Sequence, residues 1–439
     1  MRILVDMSAT LIHHGHIRLL KKAAEHGTVV VALTSDEEVY KKKRYKPELK
    51  FDYRKEILES IKYVSEVIEC PWMINEEFLK KHKIDYLFHG DDNINNVSKD
   101  HLIIVSRTEG ISSYELREKS LQTLIDKRNQ SKLFLTPGPA AILKEHLNEL
   151  NPVFGRGDSQ YNKIYDEVTS WIKSITKMDN LITFQGSATN ALELAAKTFI
   201  NGKVLIVDTG VYSDRFEFFL NQKNVFINHC NYDDLENFKS KVDWVMATYV
   251  ETSKAFKSDI RRLRETADRL EAKLFLDSTS SIGLEEGHEN ADLIGFSSCE
   301  GLLGFAGAAF IAHKSSLKII KSNNFHNTFT MNYENMKYKT TTGPYHAICS
   351  LYGVMSNYNK FVKRIKKSKK KVLEKFETFY KSDNQPILCT RLNKKIQSTN
   401  KNVEVIFYKP RLKIDGSIVC HLGEIYRDEQ NIANLIEEC

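Results

Sequence analysis

Along the first part of the chain, short apolar runs alternate with longer amphipathic stretches. Ile3–Val5, Val29–Thr34, Tyr86–Phe88 and Leu102–Val105 read as buried strands, and Ile17–His26, Tyr53–Val64 and Glu76–Lys81 carry helical spacing. Strand–helix alternation predicts a parallel sheet with helices on its faces. Ligands of such sheets bind beyond the carboxyl ends of the strands, and the residues here that can do chemistry follow those ends.

Residues 119–131 are polar and charged, with neither Pro nor Gly, and read as a helical or extended linker after a first domain of residues 1–118. A second α/β pattern begins at Lys132, with strands Leu181–Phe184, Lys203–Val207, Trp244–Thr248, Lys273–Leu276 and Leu293–Phe296. From about Tyr333 the chain turns helical and Lys-rich, then ends in short strands and a last helix, which predicts a smaller subdomain within a domain of residues 132–439. The expected fold class is therefore α/β in both halves.

Composition narrows the functional classes. The 439 residues, 41% hydrophobic and 28% charged, fit two or three soluble domains. No apolar run approaches the roughly 18 residues of a membrane span, and Met1–Asp6 reads as a strand rather than a secretory leader. Seven scattered cysteines without CxxC pairing point to free thiols in a reducing cytoplasm, not to a disulfide or zinc framework. A net charge of +7 suits anionic substrates. The basic run Lys363–Lys371 lacks interleaved aromatics and reads as a solvated helix face, so no nucleic-acid partner is expected.

The first chemical segment is Ser8-Ala9-Thr10-Leu11-Ile12-His13-His14-Gly15-His16, between a strand and a helix. Two imidazoles three apart, with Gly15 between them, can face a triphosphate from a helix N-terminus, where free amides and the helix dipole add anion affinity. Attack on an α-phosphorus loads charge onto phosphoryl oxygens, and donors that tighten on that charge lower the barrier. The second segment is Arg107-Thr108-Glu109-Gly110-Ile111-Ser112-Ser113. Gly110 permits a tight turn, Ser112 and Ser113 can cap a helix and hold β- and γ-phosphates, and Arg107 supplies a fork of donors. The third is a basic loop, Lys41 through Lys46 and on to Arg54, suited to substrate phosphates. Trp72 can stack on a base, and Gly90-Asp91-Asp92 can read the nucleotide.

Together these motifs resemble the cytidylyltransferase family that includes glycerol-3-phosphate cytidylyltransferase, over residues 1–118. The resemblance implies a Rossmann-like nucleotidylyltransferase domain using CTP with Mg²⁺. It implies that His13 and His16 stabilise the transition state, that Arg107-Thr108-Glu109-Gly110-Ile111-Ser112 holds the triphosphate, and that a lysine after the second strand assists. Lys42 matches that lysine best, with Lys43, Arg44 and Lys46 as alternatives because one extra residue lies before Arg54. Thr10 departs from the family's usual Asp. Met7-Ser8-Ala9 followed by Ile12–His16 looks more like a phosphonate-activating branch than the glycerol or choline branches.

The second half carries Leu135-Thr136-Pro137-Gly138-Pro139, a phosphate cradle Gly186-Ser187-Ala188-Thr189 opening a helix, Glu251-Thr252-Ser253 at a strand end, and Asp277 at another. A carboxylate such as Asp277 can keep a pyridine nitrogen protonated. These parts resemble the class V, fold-type I aminotransferases, most closely 2-aminoethylphosphonate–pyruvate transaminase. That resemblance implies pyridoxal phosphate and a homodimer. It also places Glu300 where the family has its lysine, in Phe296-Ser297-Ser298-Cys299-Glu300-Gly301, and Ile418 where the family has an arginine. A carboxylate cannot condense with an aldehyde. Pyridoxal phosphate is thus expected to bind at most non-covalently, and Lys254 is a possible partner for Glu300. The combined expectation is CTP-dependent activation of a small phosphonate, 2-aminoethylphosphonate, with a phosphate ester as the alternative acceptor, or a bifunctional enzyme whose pyridoxal half still works.

Overall fold

The computed structural model describes residues 1–139, 142–148, 150, 157–221, 224–320, 332–337, 342–380, 384–399, 403–426 and 432–439. The chain forms two compact units, Met1–Leu124 and Ile125–Cys439. Both are α/β.

In the first unit, strands β1 (Arg2–Met7), β2 (Thr28–Thr34), β3 (Glu66–Cys70), β4 (Tyr86–Gly90) and β5 (Leu102–Val105) form a parallel sheet in the order β3-β2-β1-β4-β5. The order reverses between β1 and β4, which opens a crevice beyond their carboxyl ends. Helices α1 (His14–Ala24), α2 (Asp36–Lys43), α3 (Phe51–Glu59), α4 (Glu76–Lys81) and α5 (Ser113–Ser131) complete the unit's elements, and the boundary between the units falls inside α5. Ile3, Val5, Val29, Val31, Leu33, Leu20, Leu58 and Phe88 form one core layer, and Leu4, Val30, Ala32, Ile74, Leu79 and Leu87 the other. Burial on both faces explains the unbroken apolar runs.

The sequence reading missed two elements. Edge strand β3 has only Val67 and Cys70 buried among charged residues, so it lacks an apolar run. The segment read as a basic loop is largely helix α2. Ser35 caps it, Asp36, Glu37 and Glu38 fill its first turn, and Lys41, Lys42 and Lys43 its last. That arrangement matches the helix dipole, but only Val39 is buried, so no apolar stripe reveals it. Residues read as a polar linker are part of helix α5, which runs from the end of the first sheet to Ser131.

The second unit begins with β6 (Lys132–Leu135), α6 (Lys144–Asn148) and α7 (Ser159–Thr176). Its main sheet uses β7 (Asn180–Gln185), β8 (Gly202–Asp208), β9 (Val225–Asn231) and β10 (Trp244–Thr248). After the short ribbon β11 (Val250–Glu251) and β12 (Phe256–Lys257) come β13 (Lys273–Asp277), β14 (Leu293–Ser297) and β15 (Ala308–His313). The order is β7-β15-β14-β13-β10-β8-β9, parallel except for β15. Helix α8 (Ala188–Phe199) follows β7 and packs Leu192, Ala195 and Ala196 into one core layer. The basic run lies on helix Tyr358–Lys375, which buries Phe361, Ile365, Ser368 and Val372 and turns most lysines to solvent. The chain ends in strand Ile436–Glu438, paired with Ile396–Ser398, and not in the helix expected there.

Of the four buried histidines described in this unit, His146, His288, His313 and His421, three are held neutral far below the usual range. Burial lowers His146 and His288 to about 4, and burial plus the nearby Lys369 lowers His421 to about 3. Each finds partners as a neutral ring, such as Leu303 carbonyl for His146 at 2.7 Å and Thr390 for His421 at 2.9 Å. The unfolded chain takes up these protons near pH 6.5, whereas the folded chain resists until about pH 4. Stability conferred by these sites is therefore complete above pH 6.5 and lost as pH falls toward 4. Chemical denaturation of the second unit should show a loss on the order of several kcal/mol across that window, and His421→Gln should reduce it, leaving the share of the other histidines.

Candidate active site

At the crevice between β1 and β4 lies a cavity of about 610 Å³, within the size range of small-molecule sites. His13 caps α1. Its Nδ1 accepts from the Gly15 amide at 3.2 Å, while His16 Nδ1 accepts from the His13 amide at 3.3 Å, and the rings lie 4.0 Å apart between centroids. An Nδ1 that accepts must be unprotonated, so each neutral ring carries its proton on Nε2. Burial lowers His16 to about 4, with His13, Lys43 and Arg107 adding to the effect, and burial followed by His14 and Arg107 lowers His13. Both rings line the cavity as neutral donors. A Cβ at Gly15 would crowd the His13 ring at 3.0 Å and Ile111 at 3.2 Å, so any larger residue there must shift that ring.

Around this pair stand cations. Lys43 leaves the end of α2 and donates to Ser8 Oγ at 3.0 Å, with its ammonium 5.5 Å from the Trp72 ring centroid. Arg107 pairs with Asp92 at 2.9 Å. Of the residues named from the sequence, Met7, Ser8, Trp72, Gly90, Asp92, Thr108, Ile111, Ser112 and Ser113 also line the cavity. Ser113 donates to Leu11 carbonyl at 3.1 Å and ties α5 to the histidine segment, while Ser112 Oγ caps α5 by accepting from Glu115 N at 3.1 Å. Gly110 forms the turn before them with φ +73° and does not itself line the cavity.

Other expectations are corrected. Lys43, not Lys42, reaches the cavity, and Lys42 and Lys46 are exposed outside it. Successive helical residues point about 100° apart, so only one of the adjacent lysines can face Ser8. Asp91 also lies outside the lining. Arg54 is fully buried rather than open to phosphate. It donates to Ser8 carbonyl at 2.5 Å, Thr34 carbonyl at 2.9 Å, Leu49 carbonyl at 3.1 Å and Asp36 at 2.6 Å.

Arg18, Lys22, Tyr45, His89, Asn95 and Arg117 line the cavity without having been expected. Arg18 and Lys22 follow the histidine segment at helical i, i+4 spacing, a signal present in the sequence. Arg117 had none. It stacks 4.6 Å from the Tyr45 centroid, pairs with Glu48, and donates to Thr10 Oγ1 at 3.0 Å. Thr10, where the family resemblance led us to expect Asp, is thus a buried neutral acceptor for a cavity arginine.

In the second unit, Ser187 caps α8, and Arg215 reaches Thr189 Oγ1 at 3.4 Å and lies 3.9 Å from Asp277 Oδ2. Ala188 opens α8 as its first residue. Glu300 accepts from Ser280 and not from Lys254. A Cβ on Gly138 would approach Glu300 Cγ to 2.9 Å, so the Gly138 backbone packs directly on this side chain. Burial pushes Glu300 up to about 7, opposed by Ser280 and reinforced by Asp277, and burial also raises Asp277. The α8 terminus with Arg215 fits the phosphate of pyridoxal phosphate, and Asp277 fits its ring nitrogen. The residue that would have to hold its aldehyde is Glu300, which does not fit.

The first cavity defines a nucleotidyltransferase site: neutral imidazole donors and cations ring the crevice of a parallel sheet. The sequence matches the family described as Cytidylyltransferase-like over residues 9–182, a span that continues past the first compact unit. It is 37% identical over 114 residues to glycerol-3-phosphate cytidylyltransferase of Bacillus subtilis (strain 168), covering 25% of this chain and 88% of that protein. It is 36% identical over 97 residues to ethanolamine-phosphate cytidylyltransferase of Arabidopsis thaliana, covering 21% of this chain and 23% of that one. The chain belongs to the cytidylyltransferase family. Its fold also resembles alanine–glyoxylate aminotransferase from Nostoc sp., with TM-score 0.57 and 17% identity, covering 70% of this chain and 93% of that one.

Two substitutions test the corrected placements. Arg54→Ala should destabilise the first unit by about 3–5 kcal/mol, since it strands buried carbonyls and a carboxylate, as read by urea denaturation. Lys43→Ala should lower kcat/KM for nucleotidyl transfer about a hundredfold, while Lys42→Ala leaves it near that of the unaltered enzyme.

Proposed function

We propose that the first unit transfers CMP from CTP to 2-aminoethylphosphonate, releasing pyrophosphate. The observation that carries this reading is the pair of neutral Nε2–H donors, His13 and His16, set among Lys43, Arg18, Lys22 and Arg107. A phosphonate oxygen attacks the α-phosphorus, and the bond to the pyrophosphate oxygen breaks. Negative charge grows on the α-phosphoryl oxygens and on the leaving group. The imidazole donors strengthen on that charge, and the cations offset it. Arg107, Thr108, Ser112 and the N-terminus of α5 are suited to the triphosphate. Trp72 offers a stacking face for the base. Mg²⁺, when bound, would neutralise phosphate charge while keeping several of its waters.

Support for a phosphonate acceptor comes from the company the domain keeps. Its partner in the chain resembles a transaminase of 2-aminoethylphosphonate, and one molecule shared by two activities gives a reason for their fusion. With Glu300 in the lysine's place, we read the second unit as a transaminase relative without that activity, retained to pair two copies of the chain. The second reading is a phosphate-ester acceptor, favoured by the names of the curated relatives.

Pyrophosphate release from CTP and Mg²⁺ should be fastest with 2-aminoethylphosphonate when compared with phosphoethanolamine, phosphocholine and glycerol 3-phosphate. A faster phosphate ester would replace the phosphonate assignment. His16→Ala should lower kcat by about 10²–10³, and unchanged turnover in that variant would overturn the site.

A further inference from the structure

The second unit holds a polarised cluster that the nucleotidyl-transfer reading does not use. One end is cationic: the N-terminus of the twelve-residue α8, with Ser187 and Thr189, and the Arg215 guanidinium 3.4 Å from Thr189. Arg215 Nε is buried without a hydrogen-bond partner. The other end is acidic. Asp277 is 4% exposed, and its Oδ1 accepts from the Thr279 amide at 2.9 Å and from its hydroxyl at 2.5 Å. Among the described residues no hydrogen bond reaches Oδ2, which faces Arg215 across 3.9 Å, too far for a hydrogen bond. Glu300 is held by Ser280 against the Gly138 backbone.

A guanidinium Nε buried without a partner, beside a buried carboxylate 3.9 Å from that guanidinium, is costly unless a ligand completes the cluster. The charge order specifies that ligand: an anion at the α8 and Arg215 end, and a cation at Glu300. We propose that the second unit binds, without a covalent bond, a small primary amine bearing a phosphoryl or phosphonyl group, its ammonium on Glu300 and its anion at α8 and Arg215. Two sources share this chemistry, pyridoxamine 5′-phosphate and 2-aminoethylphosphonate. Where a lysine would capture an aldehyde, Glu300 selects an amine. The inference is independent of the nucleotidyl-transfer reading, because none of its residues line the first cavity.

Ionisable groups that act on Glu300 are Asp277, which raises it, and Arg215, which lowers it, while Cys299 and Cys420 lie close enough to feel its charge. With Glu300 titrating near 7, an ammonium ligand draws the carboxylate form and releases a proton. Affinity should therefore weaken as pH falls below 7.

The test uses the full chain and the fluorescence of pyridoxamine 5′-phosphate, with pyridoxine 5′-phosphate (a neutral alcohol) and pyridoxal 5′-phosphate as competitors. The amine should bind at least about tenfold more tightly than either, as a charge-assisted contact demands. Glu300→Gln should remove that preference. Glu300→Lys should reverse it and yield a visible-absorbing adduct fixed by borohydride. Displacement by 2-aminoethylphosphonate would assign the phosphonate source, and its failure to displace would assign the pyridoxamine source. Equal binding of amine and alcohol by the native chain, or no binding of either amine, would overturn the proposal. The comparison among ligands on the native chain holds even where a variant does not fold.

Discussion

The first unit depends on one buried guanidinium. Arg54 reaches from α3 to the carbonyls of Ser8, Thr34 and Leu49 and to Asp36. It therefore fixes three things at once: the segment leaving β1, the end of β2, and the entry into α2. Carbonyls at strand ends have no ladder partner and must find one or stay wet. A planar cation with five donors satisfies several of them in fixed directions. Ser8, held on its carbonyl by Arg54, offers its hydroxyl to Lys43, so the strut sets where the cavity's lysine stands. His13 follows five residues further on, and the geometry of the histidine pair inherits the same constraint.

The electrostatics of the cavity follow from crowding positive charge into a partly buried space. Imidazolium rings at His13 and His16 would add to Lys43 and Arg107, and the neighbouring cations together with burial keep them neutral. The neutral tautomer is decided locally, by backbone amides of Gly15 and His13 that occupy both Nδ1 atoms. Two Nε2–H groups thus face the substrate space without needing a protonation step. A polyanionic substrate supplies the missing negative charge, and the site is complementary to it rather than self-neutralised. Local exceptions are Asp6, a mostly buried carboxyl beside His89, and the carboxylates of Asp92 on Arg107 and Glu48 on Arg117, whose exposure lets water take their place when the arginine turns to a phosphate.

Much of this was legible in the sequence where the chain obeys a single strong rule. Strands buried on both faces leave apolar runs, so β1, β2 and β4 were readable; β5 was readable from its apolar residues although it is a half-buried edge strand, and a helix with an apolar stripe such as α4 was found at its observed ends. Segments stabilised by other means were not. Helix α2 rests on a serine cap and ordered charge, which look like a polar loop when only periodicity is read. Choosing Lys42 over Lys43 failed for a related reason: alignment of a motif is ambiguous by one residue, and on a helix one residue is about 100° of direction. Arg117 was invisible because its relation to Thr10 is made by folding, across more than a hundred positions. Arg54 was visible as a cation, but only burial shows that its donors are spent on carbonyls.

Glu300 brings sequence and structure to the same question by different routes. In the sequence it is a carboxylate in a segment that resembles one built around a lysine. In the structure it is a hydrogen-bonded side chain seated against Gly138, in a cluster that also holds Asp277 and Arg215. A position merely freed from selection would be expected to accept whatever packs, and apolar replacement of a buried charge is commonly neutral or stabilising. This position instead keeps an ionisable group whose partner Ser280 is in place and whose charge opposes that of the amine it stands for. A carboxylate at this position suits a ligand that brings its own amine, as proposed for the cluster. The polarity along α8, Arg215, Asp277 and Glu300 is what gives the proposed ligand its definite class.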